Sequence, residues 1–411
     1  VPDSDTISTV SVLIPTRARP AKLATCLAHL SAQNLPHGMA FETLVAIDGP
    51  DPATLAACDA ARAALTRAGT SNIMLRVVEG PREGYMVARN RALAAARGEL
   101  ILSINDDVRP APGFVAAHAR AHTDAAARGI RLCIVSGASP WIAHEPDRLF
   151  DRMIRETGMV FFYNVMDRAL AAAANDANPA VALERERWRD WGFRHAWGLN
   201  TSIPAWALTR TGAYAEYAGG YGYEDVEIVH RVRARHASTL GIAPVLYRPE
   251  ALAPHDHRME PREYLAREYR LGYTALSFAR VSAACARELF GRDIAADPSA
   301  ALRDALEFLD REQASANRAA GFLSRAATLP AFDWPGESPR HDGAPPAAAV
   351  AGHASAPTAA PTSALAAFAA ELAREAHVPA KRWMWHAGFA DALIGAPQGP
   401  DIALARLHAP A

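Results

Sequence analysis

A short β-branched run, VSVLIPT at 10–16, ends in Pro15-Thr16-Arg17 and is followed from Pro20 by a pattern that puts Leu23, Leu27 and Leu30 on one stripe. Apolar residues at that spacing share a helix face, and a proline is tolerated in a first helical turn, so a strand followed by a helix is predicted. The alternation recurs. FETLVAI at 41–47 stops at Asp48-Gly49-Pro50 before the helical stretch TLAACDAARAAL, and IMLRVV at 73–78 reads as a third strand. A helix opened by Gly84 runs to about Arg97, and ELILSI at 99–104 enters Asn105-Asp106-Asp107. Strands alternating with helices at this spacing imply right-handed βαβ crossovers and a mostly parallel sheet in an α/β fold. Sites in such sheets lie beyond the carboxyl ends of the strands, so Thr16, Arg17, Asp48, Asp106 and Asp107 are expected to converge on one crevice.

From about Ser136 to Arg194 the pattern loosens into aromatic and charged helices, after which a second set of strands and loops carries WGLNTSIP at 197–204 and GGYGYEDVE at 219–227. APVLYRP is a further strand, ending before His255-Asp256-His257, and two or more helices are predicted between Glu263 and about Thr328. Residues 335–363 are rich in Pro, Ala and Gly and poor in large apolar side chains, the composition of a flexible linker. Beyond them, 364–393 reads as an amphipathic helical tail with Trp383 and Trp385, too small to form a domain alone. There is no internal repeat.

With 411 residues, half of them hydrophobic, the chain can fill a real core. A net charge of −1 and a pI near 7.0 give no global attraction to nucleic acid or anionic lipid, so any affinity for phosphate must be local. Cys26, Cys58, Cys133 and Cys285 lie far apart, without zinc-knuckle spacing or the density of a disulfide scaffold, and are expected to be buried thiols. No segment approaches the roughly 20 apolar residues that cross a bilayer. The expectation is a cytoplasmic protein, with peripheral association at the inner membrane face left open.

Asp106 and Asp107 leave an apolar strand directly and precede Val108-Arg109-Pro110, placing two carboxylates on a tight turn. Carboxylates approach a diphosphate only through a divalent cation, and Mg2+ or Mn2+ is the natural bridge; the alternative is an ordinary Asx turn. Glu224 and Asp225 open a predicted helix after a glycine-bearing loop. One of them can take the proton of an attacking hydroxyl, and both can cap the helix in any case. His255 and His257 alternate after a strand and are candidate ligands for Mn2+, or structural histidines. Arg82, Arg89, Asn90 and Arg91 surround a helix that begins near Gly84, a setting suited to phosphate or sugar hydroxyls, while Asp48 can accept from a nucleoside or simply cap its turn.

Taken together over about 10–258, these motifs resemble the family 2 glycosyltransferases, whose GT-A fold is Rossmann-like, with a mostly parallel sheet flanked by helices. ILSINDDVRPAPGF resembles the stretch carrying the family's DxD motif, GYMVARNRALAAARGE the helix before it, and GGYGYEDVEIVHRV a Glu-Asp motif shared with the galactosyltransferase-like branch. The resemblance implies that Pro15, Thr16, Arg17 and Asp48 meet the nucleoside, that Arg89 or Asn90 lies near the donor, and that Asp106 contacts ribose or metal. It implies that Asp107 holds Mn2+ or Mg2+ and that Asp225 is the general base, with Glu224 positioning the acceptor or the loop. Trp197, Asn200 and Tyr223 would line the donor-sugar and acceptor pocket, although Trp197 fits a core position equally. Asn105 departs from the family, standing where many relatives carry the first Asp of the triplet.

The expected organisation is a GT-A domain at 1–260, a helical extension at 261–334, the linker at 335–363 and the amphipathic tail at 364–411. The expected activity is inverting, metal-dependent transfer of a hexose from a nucleotide sugar, UDP-linked by resemblance, to a glycan, lipid-linked or protein acceptor in glycan biosynthesis. Two rivals stand beside it: a nucleotidyltransferase that makes the sugar nucleotide, and a non-catalytic scaffold that binds one. A dehydrogenase is disfavoured because no GxGxxG follows the first strand.

Overall fold

A computed structural model describes residues 6–217, 221–331 and 375–408. The predicted linker at 335–363, the first part of the tail at 364–374, and Gly219 and Gly220 of the Glu-Asp loop lie outside the described residues. Seven strands form one sheet in the order β3-β2-β1-β4-β6-β5-β7. They are β1 (Thr9–Thr16), β2 (Ala40–Asp48), β3 (Ile73–Gly80), β4 (Leu100–Ile104), β5 (Ile134–Ala138), β6 (Asn200–Pro204) and β7 (Val245–Leu252). All pairings are parallel except those of β6, which runs antiparallel between β4 and β5.

The first half follows the predicted alternation. α1 (Pro20–Ser31) starts on its proline and buries Leu23, Cys26, Leu27 and Leu30. α2 (Pro52–Arg67) is capped by Asp51, whose side chain accepts from the Thr54 amide. α3 (Tyr85–Ala95) returns the chain to β4, and α4 (Phe114–Ala127) follows it. β1 and β2 are buried almost end to end, as strands covered on both faces are.

β5 is the element the sequence pattern hides. The apolar run Leu132-Cys133-Ile134-Val135 is only four residues long before Ser136 and Gly137, and the strand is buried by its place between β6 and β7 and by side chains such as Ala121 and Ala125 of α4. Helices α5 (Leu149–Glu156), α6 (Tyr163–Ala174) and α7 (Pro179–Arg187) separate β5 from β6. α8 (Ala205–Thr211) and α9 (Glu224–Leu240) then lead to β7.

After β7 come α10 (Pro261–Val281), α11 (Ala283–Phe290) and α12 (Pro298–Ala326), and then α13 (Val378–Leu393) and α14 (Pro400–His408). α13 lies against both α10 and α12. These helices share a hydrophobic core with one face of the sheet, which runs from Leu13 and Leu44 through Phe150 and Tyr264 to Leu309, Trp383 and Phe389. The four cysteines are buried and unpaired. Among the described residues no helix is long and apolar enough to cross a membrane.

Candidate active site

β1, β2 and β4 run parallel, so Thr16, Asp48 and the Asn105-Asp106-Asp107 turn emerge at the same edge of the sheet. Thr16 Oγ1 donates to Asp106 Oδ2 at 2.7 Å. Arg19, in the turn after β1, spans both carboxylates, with Nη1 2.9 Å from Asp106 Oδ1 and Nη2 2.6 Å from Asp107 Oδ2. From the other side the loop after β7 brings His255 Nε2 to 3.3 Å from Asp107 Oδ1 and His257 Nδ1 to 3.9 Å from Asp107 Oδ2. That loop is tied down by Asp256, which holds Lys22 at 2.8 Å and Arg109 at 2.7 Å and whose amide donates to the Asp107 carbonyl.

The two buried carboxylates titrate in opposite directions. Burial opposes ionisation of Asp107, but His255 and Arg19 more than offset it and hold this carboxyl well below its usual range. For Asp106 burial prevails over Arg19 and, with Asp107 beside it, pushes the group up to about 6.

The donor set fits an open cation site. Asp107 Oδ1 is buried with no hydrogen-bond partner, and it faces His255 Nε2. This carboxylate oxygen and imidazole nitrogen, 3.3 Å apart, are the two atoms that could meet a divalent cation together. His257 Nε2 lies 3.0 Å from Glu263 Oε1, and a proton on Nε2 leaves the Nδ1 lone pair toward Asp107. No group of three or more His, Cys, Asp and Glu side chains that could hold a metal exists among the described residues, so this is not a closed protein cage.

At the end of β2, Asp48 accepts from the amides of Glu83 and Gly84 at 2.8 and 3.0 Å and lies 3.8 Å from Arg91. Its carboxylate braces the loop into α3. Pro15 is buried within the sheet edge, while Arg17 is exposed. A cavity of about 350 Å³, lined by Glu83, Gly84, Tyr85, Met86, Val87, Glu216 and Tyr217, opens at the start of α3.

Glu224 and Asp225 open α9. Asp225 Oδ1 accepts from Arg89 Nη1 at 2.6 Å, and Arg89 is fully buried. Burial disfavours the guanidinium charge, yet Asp225, Tyr214 and Glu224 outweigh it and raise the arginine above its usual value. Arg89 also donates to the Tyr85 hydroxyl, which in turn donates to Asn105 Oδ1 at 3.0 Å. The chain Asn105–Tyr85–Arg89–Asp225 thus joins the acidic turn after β4 to the start of α9. Glu224 is buried, and its Oε2 has no hydrogen-bond partner. Burial, with Asp225 adjacent, pushes this carboxyl up to about 7.

Four side chains expected around the ligand are otherwise engaged. Asn200 is fully buried, donating to the carbonyls of Ala138 and Ala251 at 3.0 and 2.9 Å while its Oδ1 meets His118 at 2.8 Å. It pins β6 to its neighbours rather than facing a pocket. Asn90 fastens the 214–216 segment by bonds to Tyr214 and Glu216. Tyr223 stacks on Phe278 at 4.8 Å, and its hydroxyl is bound between Leu271 and Trp385, so it faces the C-terminal helices. Trp197 is nearly buried among Phe161, Phe162, Tyr163 and His195.

Arg19, Tyr85 and Gly198 carry the site's geometry without having been singled out from the sequence. A Cβ on Gly198 would lie 2.1 Å from Asp225 Oδ1 and 2.7 Å from Arg89 Nη1, so only glycine lets the 197–199 turn pass beside this ion pair. Gly198 stands inside the WGLN motif and Tyr85 inside GYMVARNR, so both lay in stretches that already carried a signal; Arg19 gave none.

Residues 11–169 match the profile of glycosyl transferase family 2. No curated protein matches the chain. Among solved structures, a mannosyltransferase from Pyrobaculum calidifontis in complex with GDP-Man and Mn2+ is 17% identical, with a TM-score of 0.48 over 94% of this chain and 88% of that one. Glucosyl-3-phosphoglycerate synthase from Mycobacterium tuberculosis, in complex with Mn2+, UDP and glucosyl-3-phosphoglycerate, is 16% identical, with a TM-score of 0.38 over 67% and 80%. TarS from S. aureus is 14% identical, with a TM-score of 0.37 over 65% and 40%.

Proposed function

With residues 11–169 matching glycosyl transferase family 2, we propose that this protein transfers a sugar with inversion from a nucleotide-sugar donor to an acceptor hydroxyl. The observation that carries the proposal is the pairing of two carboxylate centres, Asp107 and Asp225, joined through Asn105, Tyr85 and Arg89. Asp107 and His255 would hold a divalent cation, with His257 behind them, and Asp106 would meet the ribose or a ligand of the cation. When bound, the cation offsets charge on the leaving diphosphate.

Asp225 acts at the opposite end of the displacement. The acceptor oxygen forms its bond to the anomeric carbon as the bond from that carbon to the diphosphate oxygen breaks, and the acceptor proton passes to Asp225. Oδ1 is held by Arg89, while Oδ2 accepts no hydrogen bond among the described residues and is the free basic atom. Glu224, its carboxyl pushed up to about 7 by burial, is a weaker candidate for the base and would position the acceptor or the loop. Asp48, Pro15, Thr16 and Arg17 border the nucleoside, and the cavity at the start of α3 belongs to the donor side.

The test begins with thermal shifts of the full chain against GDP, UDP and their sugar conjugates, with and without Mn2+, since a ligand that binds only the native state must stabilise it. The expected result is metal-dependent stabilisation that Asp107→Ala removes and Asp225→Asn keeps. Asp225→Asn should lower turnover by about 10²–10⁴-fold. Near-wild-type turnover in that variant would remove the base assignment, and release of pyrophosphate from a nucleoside triphosphate plus sugar phosphate would replace the whole reading.

A further inference from the structure

The segment presenting Glu224 and Asp225 is shaped from outside the sheet. Tyr223, immediately before them, has φ +68°, a left-handed backbone that a residue with a Cβ keeps only when its surroundings hold it there. Gly222 before it has φ +84°, and its carbonyl accepts from the Tyr217 hydroxyl. What holds Tyr223 comes from the C-terminal helices. Its ring lies flat on Phe278 of α10, at 4.8 Å and 10° between planes, with Phe290 of α11 edge-on at 5.6 Å. Its hydroxyl donates to the Leu271 carbonyl of α10 at 3.1 Å and accepts from Trp385 Nε1 of α13 at 3.0 Å.

α13 can deliver Trp385 there because it meets α10 backbone to backbone. A Cβ on Gly272 would fall 1.8 Å from the Trp385 carbonyl oxygen, and one on Gly388 would fall 2.0 Å from that of Tyr269. The crossing is closed by two glycines, one from each helix, and no side chain fits between them. One turn further along α9, Ser282 Oγ donates to Glu227 Oε1 at 3.2 Å, so the same C-terminal segment grips the helix beyond the two carboxylates as well.

We infer that α13 is a positioning element for the transfer site: through the Trp385–Tyr223 hydrogen bond and the Gly272–Gly388 crossing it fixes the backbone that aims Glu224 and Asp225. This gives the C-terminal tail a task in turnover although none of its residues reaches the reacting atoms. The inference rests on the proposed role of Asp225, but the clamp itself can be read without turnover.

The experiment uses the full chain and the variants Trp385→Phe, Tyr223→Phe and the double variant, with Gly388→Ala as a disruption of the crossing itself. Two readouts are taken: hydrogen exchange of the 221–227 amides against those of β1, β2 and β4, and kcat with donor KM once a donor is identified. Each single variant should speed exchange in 221–227 while the three strands keep their protection. Trp385→Phe should lower kcat about tenfold, the loss that follows from one hydrogen bond, and Tyr223→Phe, which also loses the Leu271 bond, by more, each with donor KM within about twofold. The double variant should match Tyr223→Phe, because that single variant already removes the Trp385 bond together with the one to Leu271. Gly388→Ala should produce the larger effect in the same segment. Unchanged exchange at 221–227 in a folded Trp385→Phe protein overturns the inference, as does a donor KM that rises in step with the fall in kcat. If no sugar nucleotide is turned over by the wild type, the proposed reaction fails while the exchange readout still decides the clamp.

Discussion

Replacing Gly198 by alanine puts one methyl group against the ion pair that orients Asp225. The added Cβ would sit 2.1 Å from Asp225 Oδ1, 2.7 Å from its Cγ and 2.7 Å from Arg89 Nη1. A carbon and an oxygen that are not bonded approach to about 3.2 Å at closest, so one partner must retreat by about 1 Å. Arg89 has nowhere to go: it is fully buried, hydrogen-bonded to Tyr85 and stacked between the rings of Tyr85 and Tyr214 at 4.4 and 5.0 Å. The carboxylate of Asp225, whose side chain is 24% exposed, is the partner that yields. Overpacking of this kind costs about 1–3 kcal/mol, and moving a proton acceptor by about 1 Å costs about 10²-fold in rate. Gly198→Ala should therefore lower kcat about a hundredfold while Mn2+-dependent stabilisation by the donor survives, because Asp107 and His255 lie at the other end of the network. The assay is steady-state transfer beside thermal shift, with Gly113→Ala as the control, since a Cβ at Gly113 meets nothing within 4 Å. Wild-type kcat in Gly198→Ala would refute the claim that the Arg89–Asp225 geometry sets the rate.

Arg19 puts its guanidinium charge on Asp107 Oδ2 and Asp106 Oδ1, beside the Asp107 Oδ1 a cation would approach, so Arg19→Met should bind Mn2+ about tenfold or more tightly in the absence of donor. Titration followed by Mn2+ EPR measures this directly, and unchanged affinity would mean that the arginine does not compete. Glu224 carries a pKa raised by burial to about 7, so the native state keeps a proton that the unfolded chain releases in the ordinary carboxylate range. The sign follows: wild-type stability falls relative to Glu224→Gln as pH rises from about 4.5 to about 7, then levels off. Chemical denaturation of both proteins across that range checks it, and a constant difference would refute the raised value.

The alternation of strands and helices in the first hundred residues was legible because it is local. β-branched runs, Pro20 at a helix start, and the acidic turn after β4 report which face of each element is buried and where it stops. The rule that sites lie at the carboxyl edge of a parallel sheet gathers Thr16, Arg17, Asp48, Asp106 and Asp107 at one edge from the sequence alone. A single strand's pattern holds no record of its neighbours, which is why β5 and the antiparallel insertion of β6 emerged only when the sheet closed around them. The same limit governs individual side chains. Asn200 and Tyr223 have the chemistry of ligand-binding residues, yet His118 and Ala251 claim the one and Trp385, 162 positions away, claims the other. Arg19 between two carboxylates, and Gly198 against Asp225, are likewise encounters of distant segments. Residue type and local period set what each group is able to do; packing between segments far apart in the chain decides which partner it meets, and so which of those capacities remains free for a ligand.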